Sequence, residues 1–291
     1  MPPALATRHP GFDPYGLLRD ELFGLPGRDR VDRCNVLARR RGLRSAAGAP
    51  ISFGVNKGCP PGALGYEATI LHEGRIACRR EGRGALHDLH NALVWLTFPR
   101  IKATLNRLHV DCAGSAQRAG QGRGRVRDAV TLLDESGLLW LSASRLLDEQ
   151  LQARDWTGLL VSNRERVRNE VLPIIVGHGL LEKLAAPYKS MTAHCLICPW
   201  PPAGGDDGGP GGGDGIELSE VDRAGNELAG IDLAGIDLAR IDAAVAKRIA
   251  KESHGPVLVP LPILGLPGWD PANFDASYYD DTRVFRVQKS Q

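Results

Sequence analysis

The chain has 291 residues, of which 43% are hydrophobic and 24% charged, and a formal net charge of +2. That is globular composition, neither basic enough for a histone-like protein nor strongly acidic, and at this length most of the unfolded surface can be buried. No uninterrupted run of about 18 apolar residues is present to cross a bilayer. The opening MPPALATRHPGFDPYG lacks the basic and then apolar pattern of a secretory signal. A soluble cytoplasmic protein with no membrane partner is expected.

The first helical period covers Tyr15 to Phe23, where Leu17, Leu18, Leu22 and Phe23 form an apolar face that Gly24 and Pro26 end. Residues 27–50 are rich in Arg, Gly and Ala, with helical character around Val31 to Arg41. Residues 1–59 therefore read as an N-terminal helical, Arg-rich segment and 60–286 as the main domain. The spacing of Ala63, Tyr66 and Ile70 predicts a helix over 61–73, with Gly74 at its C′ position. A helical hairpin follows: His87 to Thr97, ended by Phe98-Pro99, then 99–109 with Ile101, Leu105 and Leu108 inward.

Beyond a Gly/Arg loop at 114–125, Val130 to Leu133 and Leu138 to Leu141 flank Asp134-Glu135-Ser136-Gly137, which reads as a β-hairpin. Helical patterns return at 144–154 and 157–170. Leu172 to Val176 is a short buried strand, and His178 to Ala186 is a helix that Pro187 stops. Residues 199–215 (PWPPAGGDDGGPGGGDG) are a flexible insertion that cannot form a core. A period-five repeat then spans 224–243, and 217–251 is expected to be helical. From Val257 to Arg286 the chain is punctuated by proline and expected to cross the surface as an extended strap. The fold class is helix-rich α+β: a single globular domain with a short hairpin and strands, and a helical hairpin at its centre.

Charge is uneven. Arg75 to Arg127 holds 11 basic and 3 acidic residues, whereas Asp206 to Asp242 holds 2 basic and 10 acidic. The first block suits an anionic, phosphate-bearing partner, nucleic acid among them. With 29 Arg against 7 Lys, solvated arginine is the plainer explanation. Six cysteines without an export signal read as thiols. Cys195 and Cys198 form a CxxC after His194, but no second pair lies downstream to complete a zinc site, leaving two small thiols beside a proline turn.

Candidate chemistry gathers in two places. On the helical hairpin, His87 and Asn91 are four apart and share a face, with His90 beside them. Lys102, Asn106 and His109 share a face of the second helix. Downstream, Gly177-His178-Gly179-Leu180-Leu181-Glu182 puts His178 and Glu182 one turn apart, a spacing that can chelate a divalent metal or pair acid with base. Both histidines also have plainer roles open to them, as helix-start residues that satisfy backbone or solvent. Asp134 and Glu135 sit where a turn alone would favour Asp. Tyr278-Tyr279-Asp280-Asp281 offers further carboxylates. His87-Asp88 also spells the dyad of HD-type phosphohydrolases, which would need His72 and Asp111 as partners. Walker A, GxGxxG, HExxH and nucleophile-elbow patterns are absent.

The blocks HDLHNALVWLTFPRIKATLN (87–106), GHGLLEKLAAPY (177–188) and PLPILGLPGW with YYDDTRVFR (260–286) resemble those of a proteobacterial family, domain-of-unknown-function family 3025. The resemblance spans roughly Gly65 to Arg286. It implies a pattern containing His87, Asp88, Asn91, His178, Glu182 and Asp280-Asp281, and assigns none of them a role. The chain departs from that pattern at His90, where the family has an aromatic residue, and at the 203–215 insertion.

Two functions follow. The first is a metal-assisted hydrolase acting on a phosphate-containing substrate. In it His87, Asp88, His178 and Glu182 ligate a divalent metal or act as acid and base, while Asn91, Lys102 and Asn106 bind substrate. The alternative is a non-catalytic cytoplasmic binding protein with a basic face. They differ on convergence: more than about 10 Å apart, His87 and His178 cannot share one ion at ligand distances near 2.0–2.2 Å.

Overall fold

Apolar residues recurring every three or four positions build most of this chain into helices, wrapped around a small sheet too hydrophobic to face water. The computed structural model describes residues 9–55, 63–82, 84–116, 122–199, 236–252 and 255–287. A 3₁₀ turn (Pro10–Tyr15) leads into α1 (Gly16–Gly24) and α2 (Gly27–Arg40). Strand β1 (Ser52–Gly54), helix α3 (Ala63–Glu73) and strand β2 (Arg75–Ala77) form a small parallel β-α-β unit, with Ser52 opposite Arg75. Gly74 ends α3 at φ +68°, the left-handed conformation expected of a C′ glycine.

Helices α4 (Ala85–Thr97) and α5 (Pro99–Ala116) make the central hairpin, followed by α6 (Gly122–Ser136). Strand β3 (Gly137–Ser142), helix α7 (Arg145–Ala153), α8 (Arg164–Glu170), strand β4 (Val171–Ile175), α9 (His178–Leu184) and strand β5 (Thr192–Pro199) follow. Between α7 and α8, Thr157–Ser162 is a wide helical turn in which the Asn163 amide reaches back five residues to the Gly158 carbonyl. Helix α10 (Leu238–Lys251) and strand β6 (Val259–Pro262) complete the set. The main sheet has the order β4-β3-β5-β6, antiparallel except for the central β3–β5 pair. All six residues of β3 are buried, as a strand covered on both faces requires.

The architecture is the expected helix-rich α+β single domain. One core runs from Phe12, Tyr15 and Leu22 through Trp95, Phe98 and Trp140 to Leu261 and Phe285. Residues near the N-terminus join it directly. The Tyr15 hydroxyl donates to the Ile175 carbonyl on β4, and Arg41 donates to the Leu96 carbonyl at the end of α4. The buried Asp242 of α10 accepts from the backbone amides of Arg100 and Ile101, satisfying the exposed donors at the start of α5. Among the described residues, no helix is long and apolar enough to cross a membrane.

Several local expectations are corrected. No β-hairpin forms over 130–141. Val126, Val130 and Leu133 share one face of α6, and Ser136 passes directly into β3, whose partners come from distant strands. The second helix of the hairpin runs to Ala116 rather than 109, and α6 begins at Gly122, so little of the 114–125 loop remains. The tail is not a surface strap. Its prolines prevent a long strand, but Leu261, Ile263, Leu264 and Leu266 between them are buried, and β6 pairs with β5.

Cys195 and Cys198 lie within β5 rather than beside a turn. Three residues apart on a strand they point to opposite faces, separated by about 10 Å of rise, so they cannot grip one ion or bond to each other. The 199–215 insertion beyond Pro199, and positions 217–235 of the expected helix, lie outside the described residues. Within the described part, the period-five repeat becomes the cap and first turns of α10, where the Asp237 carboxylate accepts from the amides of Ala239 and Arg240.

Candidate metal centre

Three helix ends meet beside the sheet. His87 stands in the first turn of α4, Glu135 in the last turn of α6, and His178 opens α9 directly after β4. The glycines flanking His178 make this approach possible. A Cβ on Gly177 would lie 2.3 Å from the Gly137 amide nitrogen, and one on Gly179 would lie 2.5 Å from Glu135 Oε2. The Gly-His-Gly sequence thus lets the end of α6 close against the start of α9, bringing the Glu135 carboxylate to 3.6 Å from His178 Nε2.

The two imidazoles face each other, with 3.2 Å between His87 Nε2 and His178 Nε2. The other nitrogen of His178 settles its tautomer. His178 Nδ1 lies 2.7 Å from the Asp134 backbone carbonyl, which can only accept, so Nδ1 carries the hydrogen and Nε2 is bare. His87 Nδ1 likewise lies 2.8 Å from the Glu182 carboxylate. With a hydrogen on His87 Nε2 the pair is an N–H···N hydrogen bond to His178; with neither Nε2 carrying one, the two lone pairs face each other across a gap that a cation bridges. Two imidazole nitrogens bound to one ion at about 2.1 Å with a tetrahedral angle are about 3.4 Å apart, close to the separation here. His87, Glu135 and His178 each offer one ligand atom, and all three atoms lie within 4.8 Å of one another. Each imidazole is oriented through its far nitrogen by an oxygen acceptor, the outer arrangement usual for metal-binding histidines.

The electrostatics also favour a cation. Burial lowers the pKa of His178 to about 4, with Lys102 acting in the same direction, so the ring is neutral at pH 7. Burial and then the neighbouring Asp134 carboxylate push Glu135 above its ordinary range. Burial would raise Asp134 too, but Lys102 and His178 outweigh it and hold that carboxyl low. Asp134 and Glu135 occupy the last turn of a helix, where the backbone dipole disfavours anions. Lys102 Nζ, buried at 4% exposure, neutralises Asp134; Glu135 has no comparable direct ion pair.

The expected site residues are thus sorted by geometry. His87 and His178 converge. Glu182 faces His87 Nδ1 rather than the shared Nε2 side. Asp88, one residue from His87 and therefore turned about 100° around the helix, points away. It accepts from Arg79 through the backbone amide, Nε and a terminal nitrogen. His72 is exposed on α3, and Asp111 is exposed beside Arg107 at 3.7 Å, so the HD-type set does not assemble. The Lys102 ammonium is committed to Asp134, and Asn106 Nδ2 is committed to the Glu67 carbonyl and carboxylate. His90 is a core residue packed on Phe23 and Phe12 that donates to the Leu86 carbonyl. In the tail, Asp281 faces Lys189 and Arg283.

Glu135, and not Asp88, lies beside the two converging histidines. Its signal was the helical spacing of Val126, Val130 and Leu133, which continues α6 through Asp134 and Glu135. A cavity of about 700 Å³ lies elsewhere, lined by Pro10, Leu172, Pro173, Trp269 and Phe274 among others, and includes none of His87, Glu135 and His178.

A family model described as "Protein of unknown function (DUF3025)" matches residues 51–205 and 227–289. No curated protein and no solved structure matches the chain.

Proposed function

The chain belongs to the DUF3025 family, whose description names no reaction, and we propose from the site itself that it is a metal-assisted hydrolase acting on a phosphate-containing substrate. The observation that carries this is the pair of Nε2 atoms 3.2 Å apart, each imidazole anchored through Nδ1, with the Glu135 carboxylate beside them. In this proposal His87, His178 and Glu135 hold one divalent ion, and Glu182 and the Asp134 carbonyl orient the two rings. Two nitrogens and one carboxylate oxygen suit zinc or a neighbouring first-row metal, and three protein ligands leave a position for water, as in catalytic zinc sites. A bound ion lowers the pKa of its water towards 7 and polarises a phosphoryl oxygen. The water oxygen bonds to phosphorus, the ester P–O bond breaks, and the proton shed by the water ends on the departing oxygen.

The test is hydrolysis of bis(4-nitrophenyl) phosphate and 4-nitrophenyl phosphate by protein loaded in turn with zinc, manganese and cobalt. Metal-dependent turnover that disappears in both His178→Ala and Glu135→Gln is expected. A protein that binds metal at these residues yet turns over neither ester would overturn the phosphohydrolase function while leaving the metal centre standing.

A further inference from the structure

Asn91 lies one turn beyond His87 on α4, so the two share a helix face with Cβ atoms about 5–6 Å apart. That face meets α9, the helix that carries His178. Asn91 is 9% exposed, its Oδ1 is buried without a partner, and its amide makes no hydrogen bond among the described residues. Buried side-chain amides are normally paired, because an unpaired one loses its hydration and gains nothing. Asn106 shows the contrast. Its Oδ1 is also without a partner, but its Nδ2 clamps the Glu67 carbonyl and carboxylate, which gives it structural work. Asn91 has no such work.

We propose that Asn91 is the arm that receives the oxyanion and water carried by the metal ion, a role that rests on the metal centre proposed above. Its Nδ2 donates to a phosphoryl oxygen, and its Oδ1 accepts a hydrogen from the ion-bound water. One side chain thereby orients nucleophile and electrophile together, which neither Lys102 nor Arg79 can do, since both are spent on carboxylates. The ligand class is a tetrahedral oxyanion, with inorganic phosphate its simplest form. An amide held ready for such a ligand has no partner among the described residues, as observed here. It is a place where function is kept at a cost in stability.

Cobalt(II) and inorganic phosphate serve as probes. Cobalt binding is followed by visible absorption, and phosphate is then titrated into the cobalt-loaded protein. Thermal unfolding of metal-free samples supplies a stability control. In Asn91→Leu, of similar shape but without polar atoms, cobalt affinity should stay within about threefold. The metal-free melting temperature should hold or rise, and phosphate affinity should fall about tenfold or more, the scale of a lost charge-assisted hydrogen bond. Asn91→Asp keeps the shape, removes the donor and adds negative charge; its phosphate affinity should fall at least as far while cobalt binding is kept. Unchanged phosphate affinity in both variants, loss of cobalt by Asn91→Leu, or a lower metal-free melting temperature in Asn91→Leu would each overturn the proposal. Failure of the unaltered protein to bind cobalt would remove the metal centre and this role with it.

Discussion

The two glycines beside His178 respond oppositely to a methyl group. In Gly179→Ala the new Cβ would lie 2.5 Å from Glu135 Oε2, the mobile end of a side chain, and 3.1 Å from the Glu135 backbone oxygen, which must give by a few tenths of an ångström. The first approach is about 1 Å short of ordinary contact, so the carboxylate swings aside. Metal–ligand distances tolerate only about 0.2 Å, so a shift of that size removes Glu135 from the ion. The backbone meanwhile gains, because alanine is about 1 kcal/mol better than glycine inside a helix. The tight approach to the Glu135 backbone oxygen offsets that gain, so metal-free stability should change by no more than about 1 kcal/mol, while metal affinity falls by about a hundredfold or more, beyond the usual cost of losing an outer-shell partner. Gly177→Ala instead drives its Cβ to 2.3 Å from the Gly137 amide nitrogen and 2.6 Å from Ser136 backbone atoms, none of which can rotate away. It should cost about 3 kcal/mol or more. Urea unfolding of chelator-treated protein and zinc titration against a competing chelator measure the two effects. Gly179→Ala binding zinc within threefold of the unaltered protein would refute Glu135 as a ligand; Gly177→Ala of full stability would refute the close packing of α6 on α9.

Other predictions concern residues around the centre. His90 has its pKa lowered from 6.5 to about 4 by burial. Below about pH 6.5 the unfolded chain takes up the proton before the folded one, so stability is complete above that value and is lost as pH falls towards 4. His90 contributes on the order of 3 kcal/mol to that loss. His90→Phe should flatten the decline in denaturant unfolding between pH 7 and 4.5, and an unchanged slope would contradict a neutral buried ring. Asp88→Ala removes a 7%-exposed carboxylate that accepts three bonds from Arg79. It should cost about 2–3 kcal/mol and leave zinc affinity within threefold; a hundredfold loss of zinc would return Asp88 to the ligand set.

What could be read from the residues depended on the range of the interaction. Helices with a clear apolar stripe, such as the α4–α5 hairpin with Leu89, Leu93, Ile101 and Leu105, announce themselves through local period. So does β4, a short apolar run ended by Gly177. The junction at Asp134-Glu135-Ser136-Gly137 did not, because those four residues are favourable turn chemistry and the strand that decides the matter, β5, lies some 55 residues further on. That single misreading hid Glu135, since a carboxylate on a turn is ordinary and one in the last turn of a helix is not. His87 and His178 were legible as helix-start histidines, but their 3.2 Å approach depends on α4 packing on α9, a contact across 91 positions. Asp88 misled for the same reason. Spacing gives the face of a helix, and only packing shows what that face meets.

The most direct measurement is metal content by inductively coupled plasma mass spectrometry, on tag-free protein incubated separately with zinc, manganese or magnesium and then desalted. The proposed centre predicts about one ion per chain for zinc or manganese in the unaltered protein, and loss of that ion in both His87→Ala and His178→Ala. No retained metal under any of the three conditions, or equal metal in the unaltered and altered proteins, would contradict it.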